Sequence, residues 1–497
     1  MSETENPFAH NYSEIPAFET LDDIKGKKVT VMGLGLNGGG EAVVRFLSKY
    51  GAEITITDMK TEEQLAPTIK SLSEDKNIDL SKIRFVLGRH DISDFENADV
   101  VIKNPGVKYA GNKYLAAAKA IETDLSIFLH FTKAPIIAVT GSKGKSSTVS
   151  AIHYGLSHLG FTSFLGGNIT VSPLTFLEQT NEKTPVVLEL SSWQLSDLRG
   201  RKLLKPKVAL ITKIVPDHQN WYGNMENYIA DKKLIYADQD KNDFSIFTRD
   251  DEWGNIFASE SKGFVLRYSE HIPSQNGCWL TKTNEGWLQT PIDARPKHVL
   301  DKLSIPGKHM RTNLLNAALV LRLFERNANA IKEVLSKFPG VPHRLEFFHE
   351  WKNKNGVSFK FFNDSAATVP EAAVAAMEAF DISPVMICGG TDKVLDFTIF
   401  AEKANLARRL FLLSGTGTDK LLPLLDKKEI EHETPCSNLE ELFSNLKAYL
   451  ENLTTDDCEN DENEIPVVFS PGATSFGMFN NEFDRGNKYK EGVKSVF

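Results

Sequence analysis

The run Thr140-Gly141-Ser142-Lys143-Gly144-Lys145-Ser146-Ser147 links the apolar, strand-like stretch Pro135-Ile136-Ile137 to a segment of helical pattern. Glycines at 141 and 144 let backbone N–H groups turn toward one anion, Lys145 reaches its outer oxygens, and Ser146 or Ser147 offers a hydroxyl to Mg²⁺. These residues read as a cradle for the phosphates of a nucleotide, and the chemistry expected is driven by ATP. The loop is a shortened P-loop: the position five residues before Gly144 is Val139, where the usual pattern has glycine. The plainer alternative is a Gly/Ser/Lys turn ahead of an ordinary helix.

A magnesium–nucleotide site needs acidic or imidazole ligands near that loop. Glu189 closes the apolar strand Val186-Val187-Leu188, and in a parallel sheet ligands gather at the carboxyl ends of strands. A second apolar strand, Val208 to Thr212, leads to Pro216-Asp217-His218 and brings His218 to the same edge. A lone histidine is more often a surface or satisfied core residue than a ligand, so His218 gains its weight from Glu189. Farther on, Tyr228 to Tyr236 has helical spacing, and its residues Lys232 and Lys233 read as a solvated face.

Three α/β blocks must position these groups. In residues 1–134, Lys28 to Met32 reads as a buried strand, Gly33 to Gly38 as a tight turn, Glu41 to Tyr50 as a helix and Glu53 to Thr57 as a second strand ending at Asp58. That is a Rossmann-like β-α-β unit with GxGxxG in place and an acidic residue on the next strand, although Asp58 reads equally well as a strand cap. A further strand covers Asp99 to Ile102. Residues 135–340 hold the phosphate loop, strands at Pro185 to Leu190, Lys207 to Thr212 and Phe244 to Phe247, and a Trp-containing stretch, Gly263 to Gln289, that reads as short antiparallel pieces. Residues 341–497 alternate strand and helix: Val357 to Asn363, Pro370 to Phe380, Pro384 to Cys388, Phe397 to Arg408, Leu410 to Leu413 and Pro466 to Phe469, a second Rossmann-like sheet. The acidic segment Thr454 to Glu464 reads as a solvated loop.

Composition narrows the class. A chain of 497 residues exceeds what one core holds, and 41% hydrophobic with 25% charged residues is the balance of a globular protein. A net charge of −9 without a basic stripe argues against nucleic acid as partner. Cys278, Cys388, Cys436 and Cys458 form no CxxC pair, which disfavours a zinc site or disulfide frame and fits a reducing compartment. Neither a signal-peptide pattern nor a membrane-length apolar run is present, so a cytoplasmic protein without membrane attachment is expected.

Taken together, Thr140 to Ser146, Glu189-Leu190-Ser191-Ser192-Trp193-Gln194-Leu195, Asp217-His218 and Lys232 resemble the Mur ligases, ATP-dependent amide ligases of bacterial cell-wall synthesis. Gly166-Gly167-Asn168-Ile169, Gly307-Lys308-His309, Val341-Pro342-His343-Arg344, Asn363-Asp364-Ser365, Gly389 to Lys393 and Ser470 to Ser475 follow in the family's order, so the resemblance runs from Gly33 to Gly486. It implies three domains: Rossmann-like, P-loop-type with a mixed sheet, and Rossmann-like. It implies a ligase that joins D-glutamate to UDP-N-acetylmuramoyl-L-alanine through an acyl phosphate, with other amino acids or a folylpolyglutamate-type reaction as the alternative. Leu36, Asn37 and Asp58 would hold the uridine diphosphate, with Asn168 reaching the substrate from the central domain. Gly141, Ser142, Lys143, Gly144, Lys145, Ser146 and Ser147 would grip ATP, aided by Asn313, Arg344 and Asp364. Two Mg²⁺ ions would sit on Ser146 with Glu189 and on His218 with Lys232, the family's equivalent lysine being carbamylated. Thr368, Lys393 and Ser475 would face the amino acid. Departures from the pattern, Met310, Ala366 and Glu482, gather toward that last pocket. A monomer acting on small molecules is the expectation.

Outside the resemblance, two other classes fit part of the sequence. A nicotinamide-dependent oxidoreductase accounts for Gly33 to Gly38 but leaves the loop at Lys145 idle, and a non-catalytic ATP-binding scaffold keeps Lys145 but needs neither Lys393 nor Ser475.

Overall fold

Four of the five residues of Lys28–Met32 and all four of Val100–Lys103 are buried, as expected of strands covered by helices on both faces. They belong to the first of three sheets in the computed structural model, which describes residues 9–169, 171–301, 303 and 306–497. Strands β1 (Lys28–Met32), β2 (Glu53–Asp58), β3 (Arg84–Leu87), β4 (Val100–Lys103) and β5 (Ile121–Glu122) pair in parallel in the order β3-β2-β1-β4-β5. The order reverses between β1 and β4, and the turn Gly33 to Gly38 lies at that switch point, where such sheets bind ligands.

The second sheet comprises β6 (Ile136–Thr140), β7 (Phe164–Gly167), β8 (Val186–Glu189), β9 (Val208–Ile211), β10 (Phe244–Thr248), β11 (Phe264–Ser269), β12 (Gly277–Leu280), β13 (Gly286–Gln289) and β14 (Lys297–Leu300). Its order is β14-β13-β12-β11-β10-β9-β6-β8-β7, so β6 lies between β8 and β9 and all three end at one edge. The expectation of antiparallel pieces over Gly263 to Gln289 is corrected here. β11 pairs in parallel with both β10 and β12, and antiparallel pairing begins only at β12–β13. The helix Glu252–Glu260 supplies the crossover that a parallel β10–β11 pair requires.

The third sheet is β15 (Glu346–Lys352), β16 (Ser358–Asn363), β17 (Val385–Gly389), β18 (Arg409–Leu413) and β19 (Glu464–Phe469), in the order β15-β16-β19-β17-β18. Only the edge strand β15, absent from the sequence reading, is antiparallel. Two compact units result. One runs to Leu300 and takes in Asn313–Val334; the other comprises Asp301–Thr312 and Leu335–Phe497. No helix among the described residues is long and apolar enough to cross a membrane.

Within the first unit, a buried polar cluster ties the first sheet to the second. Lys103 at the end of β4 pairs with Asp197 at 2.7 Å, both side chains under 5% exposed, and Tyr12 Oη donates to the other Asp197 oxygen at 3.1 Å. Arg201 pairs with Glu122 at 3.0 Å and lies over the Tyr12 ring. A charge pair this dry contributes little against an apolar substitute, but removing one member strands the other. Lys103→Met is therefore expected to destabilise the protein by about 3–5 kcal/mol, read as a lowered denaturation midpoint. A loss below about 1 kcal/mol, the range of exposed pairs, would show that the pair is solvated.

Candidate active site

β6 ends at Thr140, whose Oγ1 donates to Leu190 O at 2.6 Å and so ties the phosphate loop to the residue after Glu189. Gly141 follows at φ 146°, and a Cβ there would overlap Thr212 Oγ1. Gly144 takes φ 90° as the N-cap of the helix Lys145–His158, where a Cβ would lie 2.5 Å from Asn313 Oδ1. Both positions need glycine. The whole-loop cradle is corrected in one respect: the amides of Ser142 and Lys143 donate to Lys213 O at 2.9 and 3.3 Å. The Ser142 hydroxyl is likewise engaged, with Val215 O at 2.9 Å and Tyr228 Oη at 3.0 Å. These two residues brace the loop against residues 213–215. The first turn of the helix, with half-buried Ser146 and Ser147, presents the N-terminal dipole and amides to an anion.

Two lysines meet on one oxygen. Lys145 Nζ donates to Gly141 O at 3.0 Å and Ser142 O at 3.1 Å; Lys232 Nζ donates to the same Gly141 O at 2.9 Å and to Thr140 Oγ1 at 3.3 Å. The solvated-face reading of Lys232 is corrected, since it is 1% exposed and packs over the Tyr228 ring one helical turn earlier. Burial first, and then the Lys145 charge, push the Lys232 amine down to about 7, with Asp217 and Asp231 opposing. At neutral pH a large fraction is uncharged and nucleophilic.

Glu189, at the end of β8, is 2% exposed. Its Oε1 accepts from Asn168 Nδ2 at 2.9 Å, while Oε2 is buried with no hydrogen-bond partner. An unsatisfied buried carboxylate oxygen is costly, and a cation against it removes the cost, so the donor set fits Mg²⁺. His218, held at φ 52°, sits at the exposed rim with its ring 5.0 Å from Trp193 and 6.4 Å from Tyr228. Among the described residues no hydrogen bond joins it to Glu189 or Lys232.

At the first sheet, Leu36 is 51% exposed and Asn37 is exposed, both at the mouth of the switch-point turn. Asp58 is buried, and its carboxylate accepts the amides of Gly35 at 3.1 Å and Lys60 at 2.9 Å, so it shapes that turn directly.

In the second unit, Asp364 follows β16 and accepts from Leu345 N at 3.1 Å and Ser470 Oγ at 2.6 Å. Burial drives its carboxyl up to about 7 against those bonds and the Arg344 charge. Arg344 itself is exposed. Thr368 is half-buried, Ser475 is buried, and exposed Lys393 reaches over the Phe476 ring. Reciprocal backbone bonds between Thr391 and Thr474 hold the loops of Lys393 and Ser475 together.

Between the usual carboxylate range and pH 7 the folded protein retains an Asp364 proton that the unfolded chain has released. Stability therefore falls as pH rises through that window. Asp364→Asn is expected to flatten this part of the profile of denaturation midpoint against pH. An unchanged slope would show that Asp364 ionises normally.

Tyr228, Thr140 and the Ser142 hydroxyl were not singled out from sequence. Tyr228 stands four residues before Lys232, a spacing that puts both on one helix face.

One P-loop-type mixed sheet and two Rossmann-like sheets make up a three-domain α/β architecture. Residues 139–321 match the Mur ligase middle domain and residues 27–126 the Mur ligase MurD-like N-terminal domain. The chain belongs to the Mur ligase family, whose members are ATP-dependent. It is 39% identical to the UDP-N-acetylmuramoylalanine–D-glutamate ligase of Treponema pallidum, over 95% of this chain and 98% of that one. Ligases of the same name from Borreliella burgdorferi and Roseiflexus are 39% and 34% identical, each over at least 95% of this chain and 99% of the relative. The fold is also that of the alanine ligase MurC from Thermotoga maritima, with a TM-score of 0.55 at 17% identity over 95% of this chain and 100% of that one.

Proposed function

We propose that the protein joins D-glutamate to UDP-N-acetylmuramoyl-L-alanine at the expense of ATP, in peptidoglycan precursor synthesis. The observation that carries the reading is the meeting of Lys145 and Lys232 on Gly141 O at the strand edge that also holds Glu189. Its relatives' shared name supplies the substrates. Domains at 1–134, 135–340 and 341–497 would receive the sugar nucleotide, ATP and the amino acid in that order.

A carboxylate is a poor electrophile and must be activated. Lys145 and the first-turn amides of its helix hold the terminal phosphates in line with the L-alanyl carboxylate. A carboxylate oxygen attacks the γ-phosphorus, the bond to the β-phosphate oxygen breaks, and ADP leaves an acyl phosphate. The free amine of D-glutamate then attacks the acyl carbon, forming the C–N bond as the bond to phosphate breaks; the amine's surplus proton passes to solvent. Ser146, Glu189, His218 and carbamylated Lys232 would hold two Mg²⁺ ions. Magnesium, when bound, neutralises charge on the phosphates. Conversion of Lys232 to a carbamate turns a cation into a carboxylate-like group, and its uncharged fraction near pH 7 makes that reaction accessible. Asn168 orients Glu189 through its amide. Asn313 beside Gly144, with Arg344 and Asp364, would bound the nucleotide; Leu36, Asn37 and Asp58 would receive the uridine diphosphate. Thr368, Lys393 and Ser475 would bind the amino acid, where the Lys393 charge complements a side-chain carboxylate. The setting is the cytoplasm and the working form a monomer.

Hydroxylamine trapping tests the route. With ATP and UDP-N-acetylmuramoyl-L-alanine but no amino acid, hydroxylamine should capture the alanyl hydroxamate together with ADP. ATP-dependent ligation without any hydroxamate would contradict the acyl phosphate.

A further inference from the structure

Arg485, in the helix Glu482–Val496, is 1% exposed and lies within ion-pair distance of no carboxylate among the described residues. Its Nη1 donates to Ala473 O at 2.9 Å and its Nη2 to Ser365 O at 2.8 Å, while Nε is buried without a partner. The same guanidinium reaches the turn after β17, where a Cβ on Gly390 would lie 3.8 Å from Nη1. Three loops meet on one side chain: those following β16, β19 and β17, adjacent strands of the sheet. A buried guanidinium normally takes a carboxylate, because two neutral carbonyls satisfy its N–H groups without cancelling its charge. Nearby Asp364 does not serve, since its oxygens are occupied by Leu345 and Ser470. Glu482, a turn earlier on the same helix, acts only at longer range.

We infer that Arg485 is a positioning and specificity-determining residue. It clamps the loops of Thr368, Lys393 and Ser475 in one arrangement and leaves an uncancelled positive charge beneath them that favours an amino acid with two carboxylates. The inference rests on the ligase reading for the identity of that amino acid. The fork fixes the distance between the Ser365 and Ala473 carbonyls, which a lysine, a point charge with no planar fork, cannot do. Its charge lies beneath the loops of Lys393 and Ser475, so the effect should fall chiefly on the amino acid.

The test is a comparison of steady-state constants for the full-length wild type, Arg485→Met and Arg485→Lys, with circular dichroism as a check on folding. Arg485→Met should raise KM for D-glutamate by roughly tenfold or more while KM for ATP stays within about twofold. Arg485→Lys, which keeps the charge and loses the fork, should recover part of the amino-acid KM. Equal rises in both KM values, an unchanged amino-acid KM in a folded Met variant, or failure of both variants to fold would overturn the inference and leave Arg485 a packing residue. If the wild type itself prefers another amino acid, the ligase assignment changes, and the KM for that amino acid becomes the quantity read.

Discussion

A chain carrying Lys232→Ala is expected to fold and yet lose ligation by on the order of 10²–10³-fold, the scale of removing one preorganised charge-stabilising group. The amine is almost fully buried, donates to a carbonyl and a hydroxyl, and is driven toward neutrality by burial and by Lys145. A protonated lysine there would place a second cation beside Lys145 with no carboxylate among the described residues in ion-pair contact; a carbamate would place an anion. Short carboxylic acids such as acetate should enter the space left by alanine and restore part of the activity. The wild type, stripped of CO₂ at mildly acid pH, should recover on adding bicarbonate, because acid holds Lys232 as an ammonium that cannot form the carbamate. Activity indifferent to both additions would remove Lys232 from the anionic role and leave it a structural amine.

Lys145→Ala should be comparably severe, roughly 10³-fold or more in kcat, because phosphoryl transfer depends almost wholly on positioning and charge neutralisation. Its ammonium donates to the loop carbonyls of Gly141 and Ser142 rather than packing into a core, and the circular dichroism spectrum should not change. Near-normal ligation in a folded variant would remove the phosphate-cradle assignment.

The features best read from sequence are those where burial on both faces turns a strand into a continuous apolar run. β1, β6, β8 and β9 are such strands, and their carboxyl ends placed Glu189 and the phosphate loop at one edge. Lys232 is harder to place, because it ends a short helix with Lys233 next to it as the cap, and only packing decides which of the two faces the core. The parallel pairing of β11 and β12 has no local signal, because short Trp- and Gly-containing strands look like a meander whichever way they run. β15 is a half-buried edge strand with a mixed polar pattern, and such strands carry little periodic signal. Arg485 lies in the helix Glu482–Val496, whose polar sequence reads as surface; its burial comes from the three loops that close over it. The engagement of Ser142 and Lys143 by Lys213 depends on a neighbouring loop and has no local signature.

Which amino acid the enzyme consumes is decided by one assay. Phosphate release from ATP should be measured with UDP-N-acetylmuramoyl-L-alanine present, against a panel of D- and L-amino acids that includes L-alanine, L-glutamate and a diamino acid. Release that depends on D-glutamate and is matched by ligated product is the result predicted. Preference for any other member of the panel, or no release with any of them, would contradict it.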